Sequence, residues 1–300
     1  RRGVDCRRRQ PGTANPGSPG KRPSAAGYPP VSAPDPDIVY ILGAGRSGTT
    51  LLDVVLGNGD GMFSCGEIRK FLELDGRPAA MAEGSANWRF WDGVRAAVNE
   101  SFSAGQRARL AAAARRMESH AWFPLQWLGL PVVSRADREL YARYVEVLLG
   151  AISARSGQSV LIDSSKYPGR VLALLPVLGD RLRAVYIRRP RKAVVTSFRK
   201  KGIEQPAKSW LAANVYWLVM RIACGLAYRR VPAARRSSVS YDGLVEKPAR
   251  SLADVARDLD LDLRRPMEIA SRQGDFAVGW LFEGNRIRKL DSMAIQRRPA

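Results

Sequence analysis

Residues 38–52 read IVYILGAGRSGTTLL, an apolar run that breaks into glycines and continues as an apolar helical pattern. This order predicts a buried strand, a tight loop and a helix. Gly43, Gly45 and Gly48 let the loop turn so that backbone N–H groups and the positive end of the helix converge on an anion. The glycine spacing is that of a P-loop, but Thr49 stands where nucleotide triphosphatases carry lysine.

The composition limits the classes of protein and partner. With 300 residues and 45% apolar content, the chain is long enough for one large or two ordinary domains. Lysine and arginine number 49 against 28 acidic residues, which predicts attraction to nucleic acid, an anionic membrane surface or a multiply charged nucleotide. Cys6, Cys65 and Cys224 are widely spaced, so neither a disulfide framework nor a zinc site is indicated. Without a signal-peptide pattern, we expect a cytoplasmic protein, and the Ala/Arg-rich usage favours a bacterial source.

The first segment of the chain differs from the rest. Residues 1–36 contain eight of the 19 prolines and five of the 27 glycines, together with seven lysines and arginines. This composition predicts a disordered basic tail, because it offers too little apolar surface to fold. A nucleic-acid-binding arm is the alternative, but Tyr28 is the tail's one aromatic residue for base stacking. We expect residues 37–300 to form the folded domain.

Further strands are predicted at residues 159–163, 183–187 and 237–241, each followed by a helical pattern. Strands that alternate with helices favour an α/β fold, with a mainly parallel sheet covered by helices on both faces, as in P-loop NTPases. Such a sheet binds ligands beyond the carboxyl ends of its strands, where this chain gathers polar residues.

Residues from about 70 to 155 form an irregular helical stretch, which we interpret as an insertion. It contains Trp88, Trp91, Trp122 and Trp127, for which packing in a core is favoured over an aromatic acceptor pocket.

The apolar stretch Leu211–Tyr228 includes Asn214 and Arg221. We therefore predict a buried helix and no membrane span.

Two groups of residues suit anions. The loop offers the cation Arg46 and the hydroxyls of Ser47, Thr49 and Thr50, although a glycine loop alone is also compatible with a structural turn. A second group, Arg188 and Ser197, comes at another strand end and in the helix after it; a planar guanidinium matches a phosphate dianion. Two separate anion sites predict a ligand with phosphates at two ends.

These residues resemble the sulfotransferases that use 3′-phosphoadenosine 5′-phosphosulfate (PAPS), with a motif layout similar to the tyrosylprotein and carbohydrate enzymes. The resemblance spans residues 38 to about 290 and consists of motifs in the family's order. They are residues 46–52, 185–197, 239–245 with Pro248, and 284–288.

The resemblance implies a role for each motif. The loop residues Arg46, Ser47, Gly48, Thr49 and Thr50 are expected to bind the 5′-phosphosulfate. The remaining nucleotide contacts are expected from Arg188, Ser197, Tyr241, Asn285 and Arg286. Two positions depart from the family's pattern. Arg189 replaces an aspartate, a change expected to leave the anion contacts intact, and Trp280 and Leu281 stand where the family often has a histidine.

The resemblance also implies the catalytic residues. Glu67 matches the glutamate that serves as general base, and Lys166 resembles the family's catalytic lysine, acting with Arg46 on the transferred group. The alternatives are a salt-bridged surface carboxylate and a solvated lysine. His120, the one histidine, lies outside any motif and is predicted to be structural. No metal is expected.

The sequence therefore predicts a PAPS-dependent sulfotransferase that acts on a hydroxyl acceptor, with a carbohydrate, a lipid and a natural product all open. A P-loop kinase acting on a small molecule, and a nucleic-acid-binding protein with a degenerate P-loop, are the alternatives. In the favoured interpretation the partner is a small molecule or glycan, not nucleic acid, and the oligomeric state is open.

Overall fold

The structure is a computed structural model, and it describes residues 35–79, 81–199 and 208–296. The predicted disordered tail, residues 1–36, falls outside the described residues except for its last two positions. That prediction therefore stays a prediction.

A five-stranded sheet forms the centre of the fold. Its strands are β1 (Asp37–Leu42), β2 (Met62–Gly66), β3 (Val160–Lys166), β4 (Leu182–Arg188) and β5 (Arg236–Ser240). They lie in the order β2-β3-β1-β4-β5, and every neighbouring pair is parallel. The predicted parallel α/β sheet is confirmed. Because all strands run in one direction, their carboxyl ends meet at a single edge, which we call the carboxyl edge.

Helices connect the strands. They are α1 (Thr49–Leu56), α2 (Ala86–Ser101), α3 (Ala104–Met117), α4 (Phe123–Trp127), α5 (Arg135–Ser156), α6 (Pro168–Leu178), α7 (Arg191–Arg199), α8 (Trp210–Arg230), α9 (Tyr241–Glu246), α10 (Pro248–Leu259) and α11 (Arg264–Ser271). A small antiparallel hairpin follows, made of β6 (Asp275–Ala277) and β7 (Ser292–Ala294). Single 3₁₀ turns at Ile68–Phe71 and Arg286–Lys289 flank the site described below.

Alternation along β1 explains why both faces of the sheet are covered. Successive side chains of a strand point to opposite faces. Ile38, Tyr40 and Leu42 join a core cluster that includes buried residues of α2, α3, α5, α6 and α8. Val39 and Ile41 join a second cluster with α1, α9, α10 and α11. The sheet is therefore buried on both sides, as its apolar strands predict.

Serine side chains cap the N-terminal ends of the long helices in the predicted insertion. The side chains of Ser85, Ser103 and Ser134 accept hydrogen bonds from N–H groups in the first turns of α2, α3 and α5. Such caps satisfy donors that have no partner within the helix. Gly157 ends α5 with a φ of 68°, which glycine adopts without steric cost.

Two predicted strand ends shift. β3 continues past Asp163 to Lys166, because Asp163, Ser164 and Ser165 all find buried hydrogen-bond partners. Tyr241, which was assigned to a strand, instead begins α9. The preceding Ser240 side chain accepts from the N–H of Gly243 at 2.9 Å and caps that helix.

The apolar stretch 211–228 forms the predicted helix, α8, but the prediction that this helix is buried is wrong. α8 contacts α6, α7 and β4, and its buried residues are Ala213, Met220, Ala223, Cys224 and Ala227. Other apolar side chains, among them Leu211 and Leu218, are exposed. By length and composition alone α8 is the one helix of the described residues that could cross a membrane.

The four tryptophans of the insertion divide between core and surface. Trp91 is fully buried and contacts the rings of Phe71, Phe90 and Phe282. Trp122 is exposed. Core packing is therefore confirmed for Trp91 and wrong for Trp122.

Candidate active site

The glycine loop joins β1 to α1 at the carboxyl edge of the sheet. Arg46 and Gly48 have φ values of 68° and 93°, and the N–H of Ser47 donates to the Ala44 carbonyl at 3.1 Å. Gly48 contributes no side-chain cap to α1, so the N–H groups of the first turn are available to an anion. A non-glycine residue in the left-handed region is uncommon and is often associated with function.

Three segments from distant parts of the chain close around this loop. The Tyr241 ring packs on Gly48 so closely that a Cβ there would lie 2.5 Å from it. Tyr216 of α8 accepts a hydrogen bond from the N–H of Gly45 at 3.0 Å. A Cβ at Gly284 would lie 3.5 Å from the Thr50 side chain. Two of the predicted nucleotide-binding segments therefore adjoin the loop.

The other predicted nucleotide-binding residues occupy more open positions. Arg188 ends β4, is exposed and donates to the Ser238 hydroxyl at 3.2 Å. Ser197 is half-buried on α7. Asn285 accepts from the N–H of Arg286 at 2.6 Å, and the Arg286 side chain is exposed. Arg188 lies at the carboxyl edge because β4 pairs directly with β1.

That the change to Arg189 leaves the anion contacts intact stays a prediction, but Arg189 does contact the glycine loop. Its guanidinium donates to the carbonyl of Arg46 at 2.8 Å and lies 3.9 Å from the centroid of the Tyr241 ring. Arg189 therefore bridges two predicted nucleotide-binding elements and adds a cation to the loop. The Nε atoms of Arg46 and Arg189 are buried and have no hydrogen-bond partner among the described residues. An anion at the loop is the kind of acceptor that these donors lack.

The carboxylate of Glu67 and two lysines form a cluster just beyond the ends of β2 and β3. The Lys166 ammonium donates to one Glu67 oxygen, and Lys70 lies 3.2 Å from the other. Lys166 has a φ of 62°, so the backbone is left-handed at both Arg46 and Lys166. The structure thus brings Glu67 and Lys166 into direct contact, whereas Arg46 contacts Arg189 and the Phe198 ring.

The charges around Glu67 determine its protonation. Burial raises the pKa of Glu67, but its ion pairs and hydrogen bonds with Lys166 and Lys70 outweigh burial and hold the pKa below its usual value. Glu67 is therefore ionised at neutral pH and can accept a proton.

The C-terminal segment fixes the backbone at Glu67. The backbone N–H of Glu67 donates to the Glu283 carbonyl at 2.9 Å, and the N–H of Phe282 donates to the Cys65 carbonyl at 2.9 Å. The Glu283 carboxylate also accepts from the N–H of Ala79 at 3.1 Å and lies 3.7 Å from Lys70. Glu283 was not anticipated, because nothing in the sequence indicates that its segment extends the edge of β2.

Two buried polar networks, one around Asp53 and one around Arg170, lie next to the Glu67 cluster. Asp53 of α1 accepts from the N–H of Gly66 at 3.1 Å and from the Ser164 hydroxyl at 2.5 Å. Burial is the main cause that raises its pKa from 3.8 to about 7. Arg170 of α6 pairs with Asp163 at 2.8 Å and with Glu118, and all three side chains are buried. These contacts tie the ends of β2 and β3 to their helices.

Family membership follows from comparison with known proteins. A model of the sulfotransferase family matches residues 36–265. The chain is a member of the sulfotransferase family. No curated protein sequence matches it.

Two solved structures have the same fold as this sulfotransferase. The sulfotransferase domain from the curacin biosynthetic pathway is 18% identical over 86% of this chain and 84% of its own, with a TM-score of 0.50. The sulfotransferase domain of the Synechococcus PCC 7002 olefin synthase is 20% identical over 89% and 86%, also with a TM-score of 0.50. At these identities the likeness concerns the fold alone, and it confirms the predicted P-loop NTPase-like α/β architecture.

His120 lies closer to the candidate site of the sulfotransferase than its sequence position indicated. Its ring stacks on Tyr167 with 4.3 Å between centroids, and Tyr167 directly follows Lys166. Burial and the neighbouring cation Arg69 lower the pKa of His120 from 6.5 to about 4, so the ring is neutral. Its buried Nδ1 has no partner in the described part of the chain. Stacking on Tyr167 agrees with a structural role and does not test a catalytic one.

Two further observations concern what surrounds the site. Trp280, in the place of the family's frequent histidine, packs on Phe90 with 5.3 Å between ring centroids, and its carbonyl accepts from Trp91. Over residues 35–79, 81–199 and 208–296, no three His, Cys, Asp or Glu side chains group as ligands for a metal ion.

Proposed function

We propose that this sulfotransferase moves a sulfuryl group from PAPS to the hydroxyl of a small-molecule or glycan acceptor. The observation that carries the proposal is the position of the Glu67–Lys166 pair at the same edge of the sheet as the Arg46 loop. An acceptor base, a cation for the transferred group and an anion-binding loop are the parts that an in-line transfer needs.

The loop and the arginines at the carboxyl end of β4 would hold the donor. The N–H groups of the first turn of α1, with the hydroxyls of Ser47, Thr49 and Thr50, are suited to the 5′-phosphosulfate. Arg188 and Ser197 would bind the 3′-phosphate, and Tyr241, Asn285 and Arg286 would line the nucleotide. The unpartnered Nε atoms of Arg46 and Arg189 support this assignment, because an anion would satisfy them.

Each catalytic residue then has a distinct task. Lys166 leaves Glu67 for the sulfuryl oxygens as the donor binds, and with Arg46 it stabilises negative charge on the departing 5′-phosphate. The freed Glu67 carboxylate accepts the proton of the acceptor hydroxyl. One S–O bond forms to the acceptor oxygen, and the S–O bond to the 5′-phosphate breaks. The products are a sulfate ester and 3′-phosphoadenosine 5′-phosphate.

The helical insertion at residues 70–155 is assigned to the acceptor side, because its 3₁₀ turn Ile68–Phe71 carries Lys70 and it reaches Tyr167 through His120. We assign the protein to the cytoplasm of a bacterium. The buried, unpaired thiols Cys65 and Cys224 suit a reducing compartment.

Transfer of ³⁵S-labelled sulfate from PAPS to a panel of alcohols tests the proposal. Glu67→Gln removes the base but keeps the shape, so turnover should fall by about 10²-fold or more while 3′-phosphoadenosine 5′-phosphate still binds. The exposed Glu246→Gln is the matched control and should keep full turnover. Near-normal turnover of Glu67→Gln would reject the assigned base. Phosphate transfer from ATP with magnesium, in place of sulfate transfer, would favour a kinase.

A further inference from the structure

α8 presents apolar side chains to the outside of the domain. Its inner side is buried against α6 and β4, but six of its apolar residues are more than half exposed. They are Trp210, Leu211, Val215, Leu218, Val219 and Ile222. An apolar surface of this extent is unusual on a monomer and indicates a site of interaction.

A second segment with exposed apolar side chains contacts the C-terminal end of α8. Leu128 and Leu130 follow α4 and are at least half exposed. The guanidinium of Arg230, at the end of α8, lies 4.1 Å from the centroid of the Trp127 ring and donates to the Trp127 carbonyl at 2.7 Å. The end of α8 is therefore joined to this segment. We call the outer side of α8 together with Trp122–Leu130 the docking face.

Together, the two segments of the docking face carry basic residues and no acidic ones. Neither α8 nor residues 119–134 contains an acidic residue. Arg221, Arg229 and Arg230 lie on α8, and Arg116 lies 5.6 Å from the Trp122 ring centroid. Aromatic, aliphatic and arginine side chains in this arrangement are typical of helices that lie at a membrane surface. A second copy of the chain would bring like charges together, whereas an anionic bilayer is complementary to the face and to the net charge of +21.

An apolar groove lies at the docking face, beside Tyr216 and His120. It has a volume of about 540 Å³ and is lined mainly by His120, Leu211, Val215, Tyr216 and Val219. Two of its lining residues contact segments that carry proposed functional residues. Tyr216 accepts from the N–H of Gly45 in the loop, and His120 stacks on Tyr167, the residue after Lys166.

We propose that the docking face rests on an anionic lipid bilayer and that the groove receives the apolar chain of an alcohol acceptor drawn from that bilayer. The groove then guides the hydroxyl end of the acceptor towards Glu67 and Lys166. The acceptor half of this inference rests on the proposed sulfuryl transfer, whereas the bilayer half does not.

Co-sedimentation with large unilamellar vesicles tests the bilayer half without any turnover. The wild-type protein should bind phosphatidylglycerol vesicles at least ten-fold more tightly than phosphatidylcholine vesicles, and raised salt should weaken that preference. Leu218→Gln combined with Ile222→Gln should reduce the affinity for phosphatidylglycerol by at least ten-fold. Both positions are exposed and neither lines the groove, so the fold should be unaffected.

Leu290→Gln is the matched control, because Leu290 is a similarly exposed leucine outside the docking face. It should bind phosphatidylglycerol vesicles as the wild type does. Wild-type protein that does not bind these vesicles would overturn the bilayer half, and so would equal losses in Leu290→Gln and the double variant. A dimer in solution that Leu218→Gln with Ile222→Gln converts to monomers would assign the face to a second copy instead.

Sulfate transfer to dodecanol in phosphatidylglycerol vesicles tests the acceptor half. Val215→Trp fills the groove, so turnover of dodecanol should fall at least ten-fold while the affinity for 3′-phosphoadenosine 5′-phosphate stays unchanged. Preference for a soluble sugar over dodecanol, or full turnover by Val215→Trp, would overturn the groove assignment. Failure of the wild type to bind 3′-phosphoadenosine 5′-phosphate would instead count against the proposed function.

Discussion

Asp53 makes a quantitative prediction about stability. Its carboxylate lies beneath the candidate site, where it holds the N–H of Gly66 and the hydroxyl of Ser164. Burial raises its pKa from 3.8 to about 7. Because the pKa is raised in the folded state, the folded protein keeps its proton to higher pH than the unfolded chain does. The contribution of Asp53 to stability is therefore greatest below pH 4 and is lost as the pH rises towards 7.

The size of this effect follows from the shift in pKa. A difference of one pKa unit between the folded and unfolded states corresponds to about 1.36 kcal/mol of stability. A difference of roughly three pKa units therefore corresponds to about 4 kcal/mol in full, of which about 2–3 kcal/mol is lost between pH 5 and pH 8. Asp53→Asn keeps an oxygen for both hydrogen bonds but does not titrate. Between pH 5 and pH 8 the wild type should therefore lose about 2–3 kcal/mol of its free energy of unfolding that Asp53→Asn does not lose.

Urea unfolding followed by tryptophan fluorescence at several pH values measures this difference. The other titrating groups are common to both proteins and cancel in the comparison. Parallel dependences of the unfolding free energy on pH in Asp53→Asn and the wild type would refute the reasoning, because Asp53 would then titrate at its ordinary pKa in the folded protein.

Two further substitutions probe the support of the site and the loop. Arg170→Met leaves the Asp163 carboxylate buried without its arginine, and leaves Glu118 with Arg69 at 3.6 Å. The free energy of unfolding should therefore fall by about 3–5 kcal/mol, and a loss below about 1 kcal/mol in urea titration would mean that the network is not held by Arg170. Arg189→Asp restores the residue type usual in the family but removes the contact with the Arg46 carbonyl. Calorimetry should show at least a ten-fold weaker affinity for 3′-phosphoadenosine 5′-phosphate, and an unchanged affinity would separate Arg189 from the nucleotide.

The fold was largely predictable because its signals are local. The apolar run before Gly43 and the helical pattern after Gly48 specify β1 and α1 without reference to the rest of the chain. The parallel sheet follows from repeated strand and helix patterns. The burial of α8 was predicted wrongly, because hydropathy describes the residues of a helix and not the elements that pack around it. Whether Leu218 meets a core or solvent depends on how many elements pack around α8.

The candidate site was only partly predictable, because most of its contacts join residues that are distant in sequence. Glu67 and Lys166 are 99 positions apart, and their contact arises because β2 and β3 are neighbours in the sheet. Their selection depended on motifs. Lys70, Glu283 and Asp53 belong to no motif. The contacts of Glu283 and Asp53 with the site come from tertiary structure, whereas Lys70 pairs with Glu67 three positions earlier. The stacking of His120 on Tyr167 likewise depends on how the insertion folds back over α6.

Binding of 3′-phosphoadenosine 5′-phosphate, measured by calorimetry beside adenosine 5′-phosphate, tests the central claim most directly. The wild type should bind the bisphosphate at least about ten-fold more tightly, because Arg188 would meet the 3′-phosphate with a charge-assisted contact. Arg188→Ala should abolish that preference, and the exposed Arg250→Ala should keep it. Equal affinity of the wild type for the two nucleotides, or tighter binding of ATP with magnesium, would contradict the account.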